Sequence, residues 1–220
     1  MGIMSQPAGG GGLYFPRSLP LTGKDYVYSI DHRDDSQDVT ITKAGSRITV
    51  DRRGVEGDVA IEVGKDTISI NRFGLGNFTR IRQQGDRITI DRDGTADDVT
   101  ITKDRNSISV DRPGVDRDVT FTSAEDYFRV DRWGQERDVT VTRRGSQMFM
   151  DKGGDGDDMI ISRSDQEAGL DAHVWAKDFG LDPRAFVILN GWFETGKLQM
   201  ADLVTLTEDG RVLVWDELLK

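Results

Sequence analysis

The sequence predicts a mainly β protein: a β-solenoid of twenty-residue repeats, two short strands per repeat, followed by a small α+β module. Three observations lead there. Rows of twenty beginning at Asp31, Asp51, Asn71, Asp91, Asp111, Asp131 and Asp151 align without a gap. Within a row, β-branched residues alternate with Thr, as in Val39-Thr40-Ile41-Thr42 and Ile48-Thr49-Val50. After Ser162 the repeat stops and helix-capping signals begin. A fixed period of this length marks a repeat architecture, in which each unit buries its apolar face against neighbours.

Period-two alternation makes each run a half-buried strand. The same places hold Ile68 and Ile70, Ile88 and Ile90, Ile108 and Val110, and Met148 and Met150. Polar tetrads such as Lys43-Ser46, Gln83-Asp86 and Arg143-Ser146 read as turns, with Gly45, Gly85 and Gly145 in the left-handed region. Two topologies satisfy the pattern, a hairpin meander and a solenoid, with a trimeric fibre as a variant. The solenoid is preferred because a single sheet of this width leaves its apolar face bare, and Val and Ile alone do not fill a barrel so wide. Stacked in register at about 4.8 Å, the aspartates at 31, 51, 91, 111, 131 and 151 would repel, as would those at 58, 98, 118, 138 and 158. Interleaved Arg52, Arg72, Arg92, Arg112, Arg132 and Lys152 relieve the first ladder; calcium between carboxylates is the sharper alternative.

Composition narrows the function. A net charge of −10 and the absence of a basic stripe argue against nucleic-acid binding. There are no cysteines and only two histidines, His32 and His173, which removes thiolate and three-histidine metal sites. No run of about eighteen apolar residues exists, so no membrane span is expected. Residues 1–18, with Gly9 to Gly12, read as a flexible or assembly arm, without the basic start and apolar core of a Sec-type signal. Residues 19–162 form the repeat and 163–220 the C-terminal module. No serine has a histidine partner in a nucleophile elbow and no glycine-rich loop opens a helix, so a non-enzymatic protein is expected. The Thr-x-Thr pairs are explained by strand propensity. Trp133, Phe73 and Phe149 stand at turn or outward positions.

In the C-terminal module, Asp171 caps a helix over 172–179 ended by Gly180. Asp182 caps a second helix, with Pro183 at its first position, closed by Asn190-Gly191. A hairpin follows, Leu203–Leu206 and Val212–Trp215 around a turn at Glu208-Asp209-Gly210.

Three resemblances enter here. Gly153-Gly154-Asp155-Gly156-Asp157-Asp158-Met159-Ile160 resembles one turn of an RTX β-roll, G-G-x-G-x-D-x-U, which implies a calcium ion held by Asp155, Asp157 and Asp158. Trp175-Ala176-Lys177-Asp178-Phe179-Gly180-Leu181-Asp182, with Ala185-Phe186 and Leu189-Asn190-Gly191, resembles the middle of a LysM domain. That resemblance implies Met159–Ser162 as a first strand and Leu198–Leu206 as a later one. It also implies ligand or partner binding through Asn190, Gly191 and Trp192, with peptidoglycan as the candidate ligand. The G-D-T-L of the LysM glycan loop is absent from residues 163–170. Leu13-Tyr14-Phe15-Pro16 with Asp25-Tyr26-Val27-Tyr28 is similar to openings of contractile-tail baseplate proteins. Together these imply an oligomeric structural protein of a phage tail or baseplate, located in the virion. The alternative is an extracellular or cell-surface calcium-supported protein that binds peptidoglycan.

Overall fold

The computed structural model describes residues 17–31, 38–53, 57–73, 77–93, 98–114, 118–133, 138–144, 147–154, 158–161, 176 and 179–219. Strands β1 (Ser18–Leu19) and β2 (Tyr26–Ile30) open the chain. Six hairpins follow, one per twenty-residue unit. They are β3–β4 (Val39–Ala44, Arg47–Arg52), β5–β6 (Val59–Val63, Thr67–Arg72) and β7–β8 (Asn77–Gln84, Arg87–Arg92). Then come β9–β10 (Val99–Asp104, Ser107–Asp111), β11–β12 (Val119–Ser123, Tyr127–Arg132) and β13–β14 (Val139–Arg144, Gln147–Lys152). Strand β15 (Met159–Ile161), helix α1 (Pro183–Thr195), β16 (Val204–Thr207) and β17 (Val212–Val214) complete the described elements, with 3-10 turns at Met200–Leu203 and Trp215–Leu219.

Strands β2 to β15 form one 14-stranded sheet in sequence order, and every neighbour pair is antiparallel. The topology is therefore the meander, and the preferred solenoid is corrected: its like strands would stack in parallel. The two hairpin glycines that the structure describes behave as expected, with Gly45 at φ 59° and Gly85 at φ 61°. Gly145 lies outside the described residues. The acidic ladders vanish with the solenoid, because equivalent residues of a meander sit two strands apart, about 10 Å. Asp51 and Arg52 are likewise not interleaved. Adjacent residues of a strand point to opposite faces, and Asp51 is exposed while Arg52 turns inward.

The register explains the sheet's shape. Ile41 opposes Val50 and Val50 opposes Val59, two residues short of Ile61, the repeat equivalent of Ile41. The same slip recurs where Ile61 opposes Ile70 and Ile70 opposes Thr79. A constant slip tilts the strands and coils the sheet, as shear does in a barrel. Distances along the chain require the coil. Gly210 lies against Val39 and Val50 of β3 and β4, and the Trp215 ring is 6.3 Å from that of Phe121 on β11. Five residues reach about 18 Å at most, whereas β3 and β11 in a flat sheet would be about 38 Å apart.

The C-terminal module lies in the concave face, which is the physical reason the expectation failed. A bare sheet was rejected because nothing in the repeat covers it; the cover comes from another part of the chain. Ile41, Ile48, Ile61, Ile70, Ile81 and Ile101 are fully buried and share one core with Leu189, Trp192, Leu206 and Trp215. Each such side chain contributes about 1.5–3 kcal/mol by leaving water. Strand β1 also joins the module: Ser18 opposes Thr207 and Leu19 opposes Leu206, giving a sheet of order β1-β16-β17.

Two local expectations change. Helix α1 is capped by Asp182 and carries Pro183 at its start as expected, but it runs through Asn190-Gly191 to Thr195. Trp192 and Leu189 extend its apolar side, and Gly196 at φ 68° takes the left-handed closing role. Of the strand that the LysM resemblance implies over Met159–Ser162, Met159–Ile161 pairs with β14 at the edge of the large sheet. Of the expected helix over 172–179, all but Ala176 and Phe179 lies outside the described residues.

Candidate functional site

The repeat directs one column of charge inward. Arg52, Arg72, Arg92, Arg112 and Arg132 each end an inward row of the sheet, where the chain leaves a strand. From there their guanidinium groups reach the module. Nη2 donates to Gly210 O from Arg52 (2.8 Å), to Val212 O from Arg72 (3.3 Å), to Asp216 Oδ1 from Arg92 (2.8 Å), to Asp216 O from Arg112 (3.0 Å) and to Phe179 O from Arg132 (2.6 Å). Most acceptors are backbone carbonyls, so the column holds a chain path rather than particular side chains. At the opposite rim, Lys43 donates to Gly23 O at 2.9 Å. Gln83 there donates to Leu198 O at 2.9 Å and accepts from Met200 N at 3.2 Å.

The second aspartate series also has a structural task. Asp58, Asp98, Asp118 and Asp138 accept from the backbone N–H of Arg52, Arg92, Arg112 and Arg132 at 2.8–2.9 Å, locking the long loop between hairpins. Asp158 makes the same bond from Lys152 N at 3.2 Å. Asp158 is thus a loop lock like its counterparts, while Asp155 and Asp157 lie outside the described residues. Among the described residues, no group of three or more His, Cys, Asp or Glu side chains has the arrangement to hold a metal.

The residues named for ligand binding are separated by the helix. Trp192 is 1% exposed, its ring 4.7 Å from that of Trp215 and its Nε1 donating to Asp202 Oδ2 at 3.1 Å. It is a core residue, not a stacking platform. Asn190 is exposed and its amide reaches Glu194 Oε1 at 3.4 Å. With Val187, 57% exposed, these residues form the outer stripe of α1 at helical spacing. The Gly191 carbonyl accepts from the Thr195 hydroxyl at 2.8 Å.

The convex face of the sheet carries short polar side chains, chiefly Thr and Ser, with an aspartate near one end of most strands. It departs from that pattern at the paired Arg47 and Glu62, at Arg129, and at β7 and β8, where Arg80, Arg82 and Arg87 stand. A shallow cleft of about 400 Å³, open to solvent, lies there among the exposed side chains of Asp66, Arg82, Gln84 and Arg87, with Thr67 and Thr89 beside them. Along the chain Arg80 and Arg82 stand where other units carry a Thr-x-Thr pair, and only the strand pairing brings them beside Arg87.

Compared with family models, with curated proteins and with solved structures, the chain matches none of them. Among the described residues no helix is long and apolar enough to cross a membrane.

Proposed function

We propose that the chain is a non-enzymatic structural protein of a larger assembly, of the phage tail or baseplate kind. In this reading the coiled sheet is a rigid acidic spacer, and the exposed stripe of α1 docks to a neighbouring protein or to the cell wall. The observation that carries it is the filled interior. The repeat's apolar rows and its inward arginines are all engaged by the chain's own module, so partners meet the convex face, the sheet edges and the α1 stripe. Val27 on β2 and Ile160 on β15 are 70% and 66% exposed on the two outermost strands of the described sheet, and sheet edges favour strand-to-strand association.

Two measurements test the proposal. Analytical ultracentrifugation of the full chain is expected to give a defined oligomer. Sedimentation with purified peptidoglycan, wild type against Asn190→Ala and Val187→Asp, separates the docking targets. Binding lost in both variants means cell-wall docking; oligomers without glycan binding mean protein docking. A strict monomer that binds no peptidoglycan would overturn the reading. The alternative, a secreted calcium-supported protein, predicts a rise in melting temperature with millimolar calcium.

A further inference from the structure

We propose that the cleft on the convex face at β6–β8 is a binding site for an oxyanion carried on a hydroxylated unit, such as a phosphorylated sugar. The site is independent of the assembly reading. Arg82 stands opposite Thr67 on β6 and opposite Thr89 on β8. Arg87 opposes Gln84, which makes it the diagonal neighbour of Arg82, about 7–8 Å away. No ion pair engages either arginine among the described residues. The neighbouring cations are different. Arg80 opposes Asp91 and lies 5.0 Å over the Phe78 ring. Arg47, the equivalent of Arg87 two hairpins earlier, pairs with Glu62 at 3.6 Å.

The fold does not require arginine here. The places equivalent to Arg82 hold Thr42, Glu62, Thr102, Thr122 and Thr142, and those equivalent to Arg87 hold Arg47, Thr67, Ser107, Tyr127 and Gln147. Two like charges that close repel, and an anion between them removes the repulsion while gaining charge-assisted hydrogen bonds. The other lining groups set the rest of the ligand. Asp66 at the rim accepts hydrogen bonds and would repel a bare polyanion, whereas a sugar hydroxyl beside the anion satisfies it. Thr67, Thr89 and the Gln84 amide offer further hydroxyl and amide partners. Two arginines against one aspartate leave the cleft cationic in a chain of net charge −10.

The test is titration calorimetry of the full chain with inorganic phosphate, glucose and glucose 6-phosphate. Glucose 6-phosphate is expected to bind saturably in the millimolar range, phosphate more weakly, and glucose not at all. Arg82→Thr with Arg87→Ser installs residues the repeat already uses, and is expected to weaken binding at least about tenfold. Asp66→Asn is expected to reduce the preference for the sugar phosphate over free phosphate. If the double variant melts early, Arg87→Ser alone carries the same comparison. No saturable binding by the wild type, or equal binding by the variants, would overturn the proposal. Equal affinity for phosphate and glucose 6-phosphate would discard the hydroxylated unit.

Discussion

With Lys43, Asp216 is one of two buried charged residues among those described. Its side chain is 6% exposed, and it receives Arg92 at 2.8 Å through its carboxylate and Arg112 at 3.0 Å through its carbonyl. Glu217, 3.6 Å from Arg92, stays as a weaker partner, so losing the buried carboxylate costs about 1–3 kcal/mol rather than the full penalty of an unpaired charge. Asp216→Ala is therefore expected to lower the urea midpoint by more than any substitution on the convex face. Arg105 is a smaller case. It adopts φ 40° in the hairpin turn where the first and third hairpins use Gly45 and Gly85. A side chain in that region costs about 1 kcal/mol, so Arg105→Gly should raise the melting temperature; a fall would mean that its hairpin gains more from the side chain. Asp209 supplies a pH dependence. Burial pushes its carboxyl up, but hydrogen bonds from Thr207 and Arg211 outweigh this and hold it below its ordinary value. A depressed folded pKa gives stability that is complete above the unfolded carboxylate range and lost as pH falls through the folded value. Melting curves of wild type and Asp209→Asn should therefore converge in acid and separate towards neutrality.

At the scale of elements, helix α1 shows what a sequence conveys about a boundary. Asp182 and Pro183 were legible because capping is local chemistry: the aspartate accepts from Arg184 N at 2.8 Å. The far end was misread because Asn-Gly is a strong stop signal by propensity, and only tertiary burial of Trp192 carries the helix past it. Gly191 is now a glycine inside a helix, with open space around the position of a Cβ. Gly191→Ala should stabilise the protein by about 0.5–1 kcal/mol; were Gly191 a left-handed closing residue, the same change would destabilise it. Gly210 behaves in the opposite way. At φ 81°, a Cβ there would meet Val39 Cγ1 at 2.9 Å and Val50 Cγ1 at 3.0 Å. The hairpin strands were legible from period two, and the β16–β17 turn from Glu208-Asp209-Gly210. The candidate ligand residues were read as a contiguous motif, but a helix sends neighbours to different faces, so Asn190 went to solvent and Trp192 to the core.

At the scale of the whole molecule, the repeat conveyed the strands and hid their closure. Internal symmetry describes how units meet each other, and the answer to what covers them lay outside the repeat, in Leu206, Val214 and Trp215. The inward arginines were visible as a column, yet their acceptors are mainly backbone carbonyls, which no residue pattern records. The shared core makes a firm prediction. A chain ending at Ser162 would present the full apolar face of β3 to β14 to water. It should be insoluble or molten, whereas the full chain should unfold in a single transition by both circular dichroism and tryptophan fluorescence.

The two-residue slip has a consequence for how the chain is made. Hairpins close within microseconds of leaving the ribosome, and synthesis proceeds at about 5–20 residues per second. The apolar rows therefore stay wet for several seconds, until residues 204–219 emerge and cover them. Residues 204–219, made after every hairpin of the repeat, are the template against which those hairpins settle.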